Sequence, residues 1–295
     1  MPAKPKSVSL VLGSGGARGH AHIGVIRAIE ELDLEVRNIS GTSMGAVIGG
    51  IYAAGKLDEY IEWAYQLTRS DIVSLLDLAF SRRSIFKGER IIKALEKLLG
   101  ACQIEDMDIN FTAVATSLED QREVWLNSGS LFSAIRASTA VPGVFAPVEL
   151  DGRLLVDGGL INPVPIAPTL SDATDMTIAV NLAGLNDDYE PPERAERALE
   201  TDNSYRQRIS EFLRSLQWSN ESDSDEDDTD VGDLIIKSID VMQGAIARLK
   251  LAAYAPDKTI DIPRNACSFF EFERAEEMAE LGYRRARKAL AELDS

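Results

Sequence analysis

Along the first half of the chain, short apolar runs alternate with stretches whose apolar positions recur every three or four residues. Ser7-Val8-Ser9-Leu10-Val11-Leu12 reads as a buried strand that runs into a glycine-rich turn. From about Ala17 to Leu32, the residues Ala21, Val25, Ala28, Ile29 and Leu32 fall at helical spacing. A short strand near Val36 to Ile39 leads to Gly41-Thr42-Ser43-Met44-Gly45. The helix expected next, from about Met44 to Ala54, is apolar all round, which places it inside the core. Asn110 to Thr116, Glu123 to Leu126, Leu154 to Val156 and Met176 to Asn181 carry strand patterns. Strands alternating with helices predict an α/β fold around a largely parallel sheet.

The pattern breaks after Leu182. Residues 186–230 hold 15 acids and 5 bases, opened by Pro191-Pro192. Tyr205, Ile209, Phe212, Leu213 and Leu216 make an amphipathic face there, and a run of Ser, Asp and Glu follows from Ser219 to Asp230. Blocks of like charge repel, so a flexible linker or surface loop is expected. Asp223, Asp225 and Asp227 mimic the start of a calcium loop. However, Asp228 stands where glycine is needed and Leu234 where a glutamate is needed. Helical spacing returns with Leu234, Ile235, Ile239, Met242, Ile246 and Leu249, and a last helix is expected from about Phe270 to Leu293. Its acids come early and its bases late, as the helix dipole favours. The expected division is an α/β core over 1–182, an acidic insertion over 183–230, and a helical segment over 231–295 packing on the core.

Composition narrows the function classes. The 295 residues include 31 Lys and Arg against 48 Asp and Glu, a net charge of −17, which argues against nucleic acid as a partner. The two cysteines, Cys102 and Cys267, make neither a disulfide framework nor a zinc site. The longest uncharged apolar stretch, Met44 to Gly55, is shorter than the roughly 18–20 residues that span a bilayer. No secretory pattern follows Val8–Leu12, so a cytoplasmic location is expected. Peripheral membrane contact would have to be local, given the net charge. Arg82-Arg83-Ser84-Ile85-Phe86-Lys87 is the one basic-apolar cluster near a helix start, and the Ile91, Ile92, Leu95 and Leu99 face that follows it is expected to pack on the core.

Gly41-x-Ser43-x-Gly45 between a strand and a helix matches a nucleophile elbow, where a strained turn projects the serine hydroxyl. That hydroxyl needs a base. The chain's two histidines are His20 and His22, so an order with histidine after the serine is impossible; an order with histidine first stays open, but in the first turns of a helix both are expected to pack or to hydrogen-bond. The remaining candidate is a carboxylate. Asp157 ends a strand and is followed by Gly158 and Gly159, which allow close backbone approach. An ordinary Asp-Gly turn is the alternative reading. As a base near neutrality, Asp157 would need burial to raise its pKa. Gly13-Ser14-Gly15-Gly16-Ala17-Arg18-Gly19 follows a strand and opens a helix, so its amides would attract an oxyanion, with Arg18 adding charge. A dinucleotide loop would need a small residue where Arg18 stands.

Taken together, these motifs, with Ile135-Arg136-Ala137-Ser138-Thr139-Ala140-Val141-Pro142-Gly143-Val144-Phe145 ahead of the aspartate, resemble the bacterial patatin-like phospholipases. The resemblance covers about residues 7–182 and resumes weakly near 231–290. It implies a three-layer α/β/α fold and lipid acyl hydrolysis by a serine–aspartate dyad, with no metal or organic cofactor. It maps Ser43 to the nucleophile, within the elbow Gly41, Thr42, Met44 and Gly45. It maps Asp157 to the base and Gly15, Gly16, Ala17 and Arg18 to the oxyanion site. Ser14 stands where the family often has glycine. A catalytically silent protein recruiting a basic partner, and an acyltransferase with the same dyad, stay open beside the hydrolase.

Overall fold

Ser7–Leu12, buried at every position, forms β1 in the middle of the central sheet. The structure, a computed structural model, describes residues 6–75, 78–81, 84–189 and 231–293. The amphipathic and aspartate-rich stretches of 190–230 lie outside the described residues, as do Arg82 and Arg83. A 3-10 turn over Gly16–His20 precedes α1 (Ala21–Glu31), followed by β2 (Glu35–Thr42) and α2 (Met44–Ala53). Next come α3 (Leu57–Ala64), α4 (Arg69–Leu75), β3 (Leu78–Ser81), β4 (Ser84–Phe86) and α5 (Glu89–Leu99). The chain continues with β5 (Asn110–Ser117), β6 (Arg122–Leu126), α6 (Leu131–Ser138), β7 (Gly143–Phe145), β8 (Val148–Leu150), β9 (Arg153–Asp157) and β10 (Met176–Gly184). Then α7 (Val231–Tyr254), β11 (Lys258–Pro263) and α8 (Ala275–Ala289) complete it.

The sheet order is β11-β10-β1-β2-β5-β9-β8, with β6 also on β5. The first five strands are parallel, while β6, β8 and β9 are antiparallel to their neighbours. The period of two along a strand separates two cores. Leu10, Leu12, Ile178, Val180 and Leu182 pack with Ile26 of α1, Ile48 of α2 and Met278 of α8. Val11, Ala179 and Ala183 join Val164, Ile166 and Ala247 of α7 in a separate cluster. Helices therefore cover both faces, giving the three-layer α/β/α arrangement. On one face α1 and α8 cross nearly backbone to backbone. A side chain on Gly24 would overlap Ala279, and one on Gly282 would overlap Ala21.

The C-terminal segment, expected to be helical, also supplies a strand. Ile260 and Ile262 of β11 are buried with Asp261 turned outward, and β11 extends the parallel sheet beyond β10. Six residues closed by Pro263 give too short an alternation to stand out between two longer helical patterns. The sheet therefore does not end at residue 182. No described helix is long and apolar enough to cross a membrane.

Candidate active site

At the β2–α2 junction Ser43 takes φ 55° and ψ −121°, a conformation that costs a residue with a side chain on the order of 1–3 kcal/mol. Contacts on both sides hold it. The helix start lies against β1 so closely that any side chain on Gly45 would strike the Leu12 carbonyl. The Ser43 amide donates to Ser138 Oγ at 2.9 Å, and that fully buried hydroxyl donates in turn to the Val114 carbonyl at 2.6 Å. Thr42 Oγ1 donates to the Asn162 carbonyl at 3.0 Å, tying the elbow to the chain just past Gly159.

The register of β5 brings the aspartate to the serine. Thr42 pairs with Val114 across β2–β5, and Asp157 pairs with Ala115 across β5–β9. Asp157 is 1% exposed; its carbonyl accepts from Thr116 Oγ1 at 3.1 Å and its Oδ1 from the Gly159 amide at 2.6 Å. Burial pushes its carboxyl from 3.8 up to about 7, opposed by the nearby Ser43 hydroxyl and the Gly159 amide. Oδ2 has no partner in full hydrogen-bond geometry among the described residues, so the serine–carboxylate contact is loose.

The glycine-rich loop divides its groups. The amides of Gly15 and Gly16 have no acceptor among the described residues, whereas that of Ala17 donates to the Phe269 carbonyl at 3.0 Å. The Arg18 side chain is 6% exposed and its two terminal nitrogens point away from the loop. It donates to Asp240 Oδ1 at 2.6 Å and to the Cys267 carbonyl at 3.1 Å, with a longer contact to the Arg264 carbonyl at 3.4 Å. Both terminal nitrogens are thus engaged by α7 and the segment after β11, while the buried Nε has no partner among the described residues. The Ala17 amide and the Arg18 guanidinium, both expected to serve the oxyanion, are held in structural bonds.

Ser43 and Gly16 line an apolar cavity walled by Val47 of α2, Trp63 of α3, Ile92 and Leu95 of α5, Ile135 of α6, and Phe269 and Phe270. The α5 face that the sequence assigns to the core thus forms part of this wall. Residues 10–170 match the family described as patatin-like phospholipase, more than half of the chain. The chain belongs to the patatin-like phospholipase family. Among its relatives is the "Uncharacterized NTE family protein Mb1092c" of Mycobacterium bovis, 40% identical over 327 residues. That match covers 96% of this chain and 91% of that protein. "Lysophospholipase nte1" of Neurospora crassa is 33% identical over 197 residues, covering 62% of this chain and 12% of that protein. VipD from Legionella pneumophila has a similar fold, with a TM-score of 0.51 at 14% identity over 98% of this chain and 67% of that one.

Both histidines of this patatin-like chain are buried and neutral, because burial lowers each pKa to about 4. His20 Nδ1 faces the Ala17 carbonyl at 3.1 Å, so it carries the proton, and Nε2 accepts from the Tyr60 hydroxyl at 3.0 Å. His22 Nε2 donates to the Gly13 carbonyl at 2.9 Å, bracing the loop. Sequence reasoning assigned no role to Ser138 or Asp240. Ser138 lies within the stretch quoted for the resemblance, but a serine in a short helix carries no local sign of a partner 95 residues away. Asp240 lies 222 residues from Arg18, and only the folded chain joins them.

Proposed function

We propose that this patatin-like protein is a lipid acyl hydrolase in which Ser43 is the nucleophile and Asp157 the general base. The substrate class is an acyl ester of a phospholipid or lysophospholipid. The observation that carries the reading is the buried pair, Ser43 beside a carboxyl whose pKa is raised to about 7, opening on an apolar cavity. A carboxylate at its usual value would accept a proton weakly near neutrality, and burial makes Asp157 a stronger base. The family and the lysophospholipase name of the Neurospora crassa relative support the substrate class.

In acylation, Asp157 takes the Ser43 proton as the hydroxyl oxygen bonds to the ester carbonyl carbon. The Gly15 and Gly16 amides stabilise the oxyanion. Collapse breaks the bond to the alcohol, which leaves with the proton held by Asp157. Water then attacks acyl-Ser43, giving its proton to Asp157, which passes it to the Ser43 oxygen as the acyl bond breaks and a fatty acid is released. The acyl chain occupies the apolar cavity.

The test compares wild type, Ser43→Ala and Asp157→Asn on a nitrophenyl ester and a phospholipid, after circular dichroism has confirmed the fold. Loss of activity in both variants supports the dyad. A wild type inactive on a broad ester panel, or full rate in Asp157→Asn, overturns it.

A further inference from the structure

Helix α7 has two unlike faces. Inward, Asp240 holds Arg18 of the glycine-rich loop, Gln243 lies beside Ser14 and Gly159, and Ala247 enters a core cluster. Outward, Leu234, Ile235, Val241, Met242 and Leu249 fall within about a third of the helix circumference. All five are large, apolar and about half exposed or more, with Leu249 the most open at 70%. Isolated exposed apolar residues are ordinary, but a stripe of five on one helix face, with Ser238 and Ala245 between them, makes an interaction surface.

The charges on α7 indicate what covers that stripe. In a chain with 48 acidic residues, α7 contains two carboxylates: Asp233 in its first turn, before the stripe begins, and Asp240, which points inward at Arg18 and Arg264. The charged residues on the exposed side are Lys237 and Arg248, both along one border of the stripe. An apolar stripe bordered by cations and free of carboxylates complements acyl chains beneath phosphate headgroups. A second copy of this chain would instead set these cations against their own counterparts. The stripe also adjoins the cavity: Ile236, next to Ile235, packs against the cluster of Phe86, Val141 and Val144, as do Phe145, Phe269 and Phe270, and Val141 and those three phenylalanines line the cavity.

We propose that the outer face of α7 docks on a phospholipid surface and holds the acyl cavity beside its source of substrate. The inference extends the lipid-ester reading, but its binding readout needs no turnover. Because the net charge of −17 is repelled by anionic headgroups, apolar insertion supplies the attachment, and neutral phosphatidylcholine vesicles suffice.

The experiment measures co-sedimentation of the full chain carrying Ser43→Ala with phosphatidylcholine vesicles, so that no lipid is consumed. Val241→Glu and Leu249→Glu are then added together at exposed positions. The bound fraction is expected to fall by at least about tenfold as two inserted apolar groups become charges. In the background with Ser43 intact, hydrolysis of vesicle lipid should fall in parallel, while a soluble nitrophenyl ester is cleaved as before. Unchanged vesicle binding on double substitution overturns the proposal, as does a parent that does not bind. A dimer that the pair converts to monomer, with vesicle binding unaltered, overturns it in favour of a second copy. If no ester is hydrolysed but binding still depends on α7, the docking surface stands and the hydrolase reading falls.

Discussion

Ser43 and Asp157 meet because their strands take successive places along β5. Thr42, just before the serine, stands opposite Val114, and Asp157 stands opposite Ala115. Since β6 occupies the other edge of β5, β9 takes over the edge that β2 leaves after Val114. Ser43 and Asp157 thus come from opposite-running strands that converge on one point of the sheet. Such a meeting point is buried by construction, and burial raises the Asp157 pKa to about 7.

The rate should therefore rise with pH. Only ionised Asp157 accepts the Ser43 proton, so kcat/KM for a soluble ester should climb about tenfold per pH unit at acid pH and level off above a midpoint near 7. Asp157→Asn should lower the plateau by roughly a thousandfold or more. A wild-type profile flat from pH 5 to 8 would remove Asp157 as the base.

The same shift predicts a stability change of opposite sense. Between pH 3.8 and about 7 the folded carboxyl keeps a proton that the unfolded chain has released, so stability falls as pH rises through this window. Asp157→Asn removes that loss, and its amide oxygen can still accept from Gly159. At pH 8 the variant should be more stable than wild type by on the order of 1–3 kcal/mol, with the gain vanishing near pH 4. Urea denaturation at both pH values measures the difference, and an equal effect at both would contradict it.

Backbone strain at Ser43 separates two inactive variants. Glycine adopts φ 55° without strain, whereas alanine keeps the penalty. Ser43→Gly should unfold at higher denaturant than Ser43→Ala by about 1 kcal/mol, with both catalytically dead. Equal midpoints would mean that the elbow is not strained.

Ser138→Ala tests the support beneath Ser43. It leaves the Ser43 amide and the Val114 carbonyl without their shared hydroxyl, at a cost of about 1–3 kcal/mol. We expect kcat to drop by about tenfold or more as Ser43 drifts, with KM little changed. Wild-type kcat in a destabilised protein would restrict Ser138 to a structural role.

The positions of Ser43, Asp157 and the glycine-rich loop were legible in the sequence because each sits in a short motif at the end of a strand. Elements were legible where periodicity was long: β1 runs Ser7–Leu12 as expected, and α2 ends at Ala53 rather than Ala54. β11 was missed because only Ile260 and Ile262 mark its inner face. The division of the glycine-rich loop was not legible at all. It depends on Phe269 and Asp240, whose nearness to residues 17 and 18 arises from β11 joining the sheet and α7 lying against it. Motif positions were local information, and the commitments of their hydrogen bonds were not.

Asp240 supplies a test of that division. Burial favours its neutral form, but Arg18 and Arg264 outweigh this and hold the carboxyl below its usual range. A depressed folded pKa contributes stability that is present above pH 3.8 and lost as pH falls through the folded value. Asp240→Asn should therefore destabilise the protein at pH 7 by on the order of 1–2 kcal/mol, since the side chain is partly solvated, and by less near pH 3. The Cys267 carbonyl still holds Arg18, so the loop should shift rather than unfold. If the Gly15 and Gly16 amides bind the oxyanion, a small displacement lowers kcat several-fold on a soluble ester while KM stays close to wild type. The conservative Asp240→Glu should recover part of kcat. A variant that loses stability but keeps wild-type kcat would show that the Arg18 pairing anchors α7 without setting the oxyanion site.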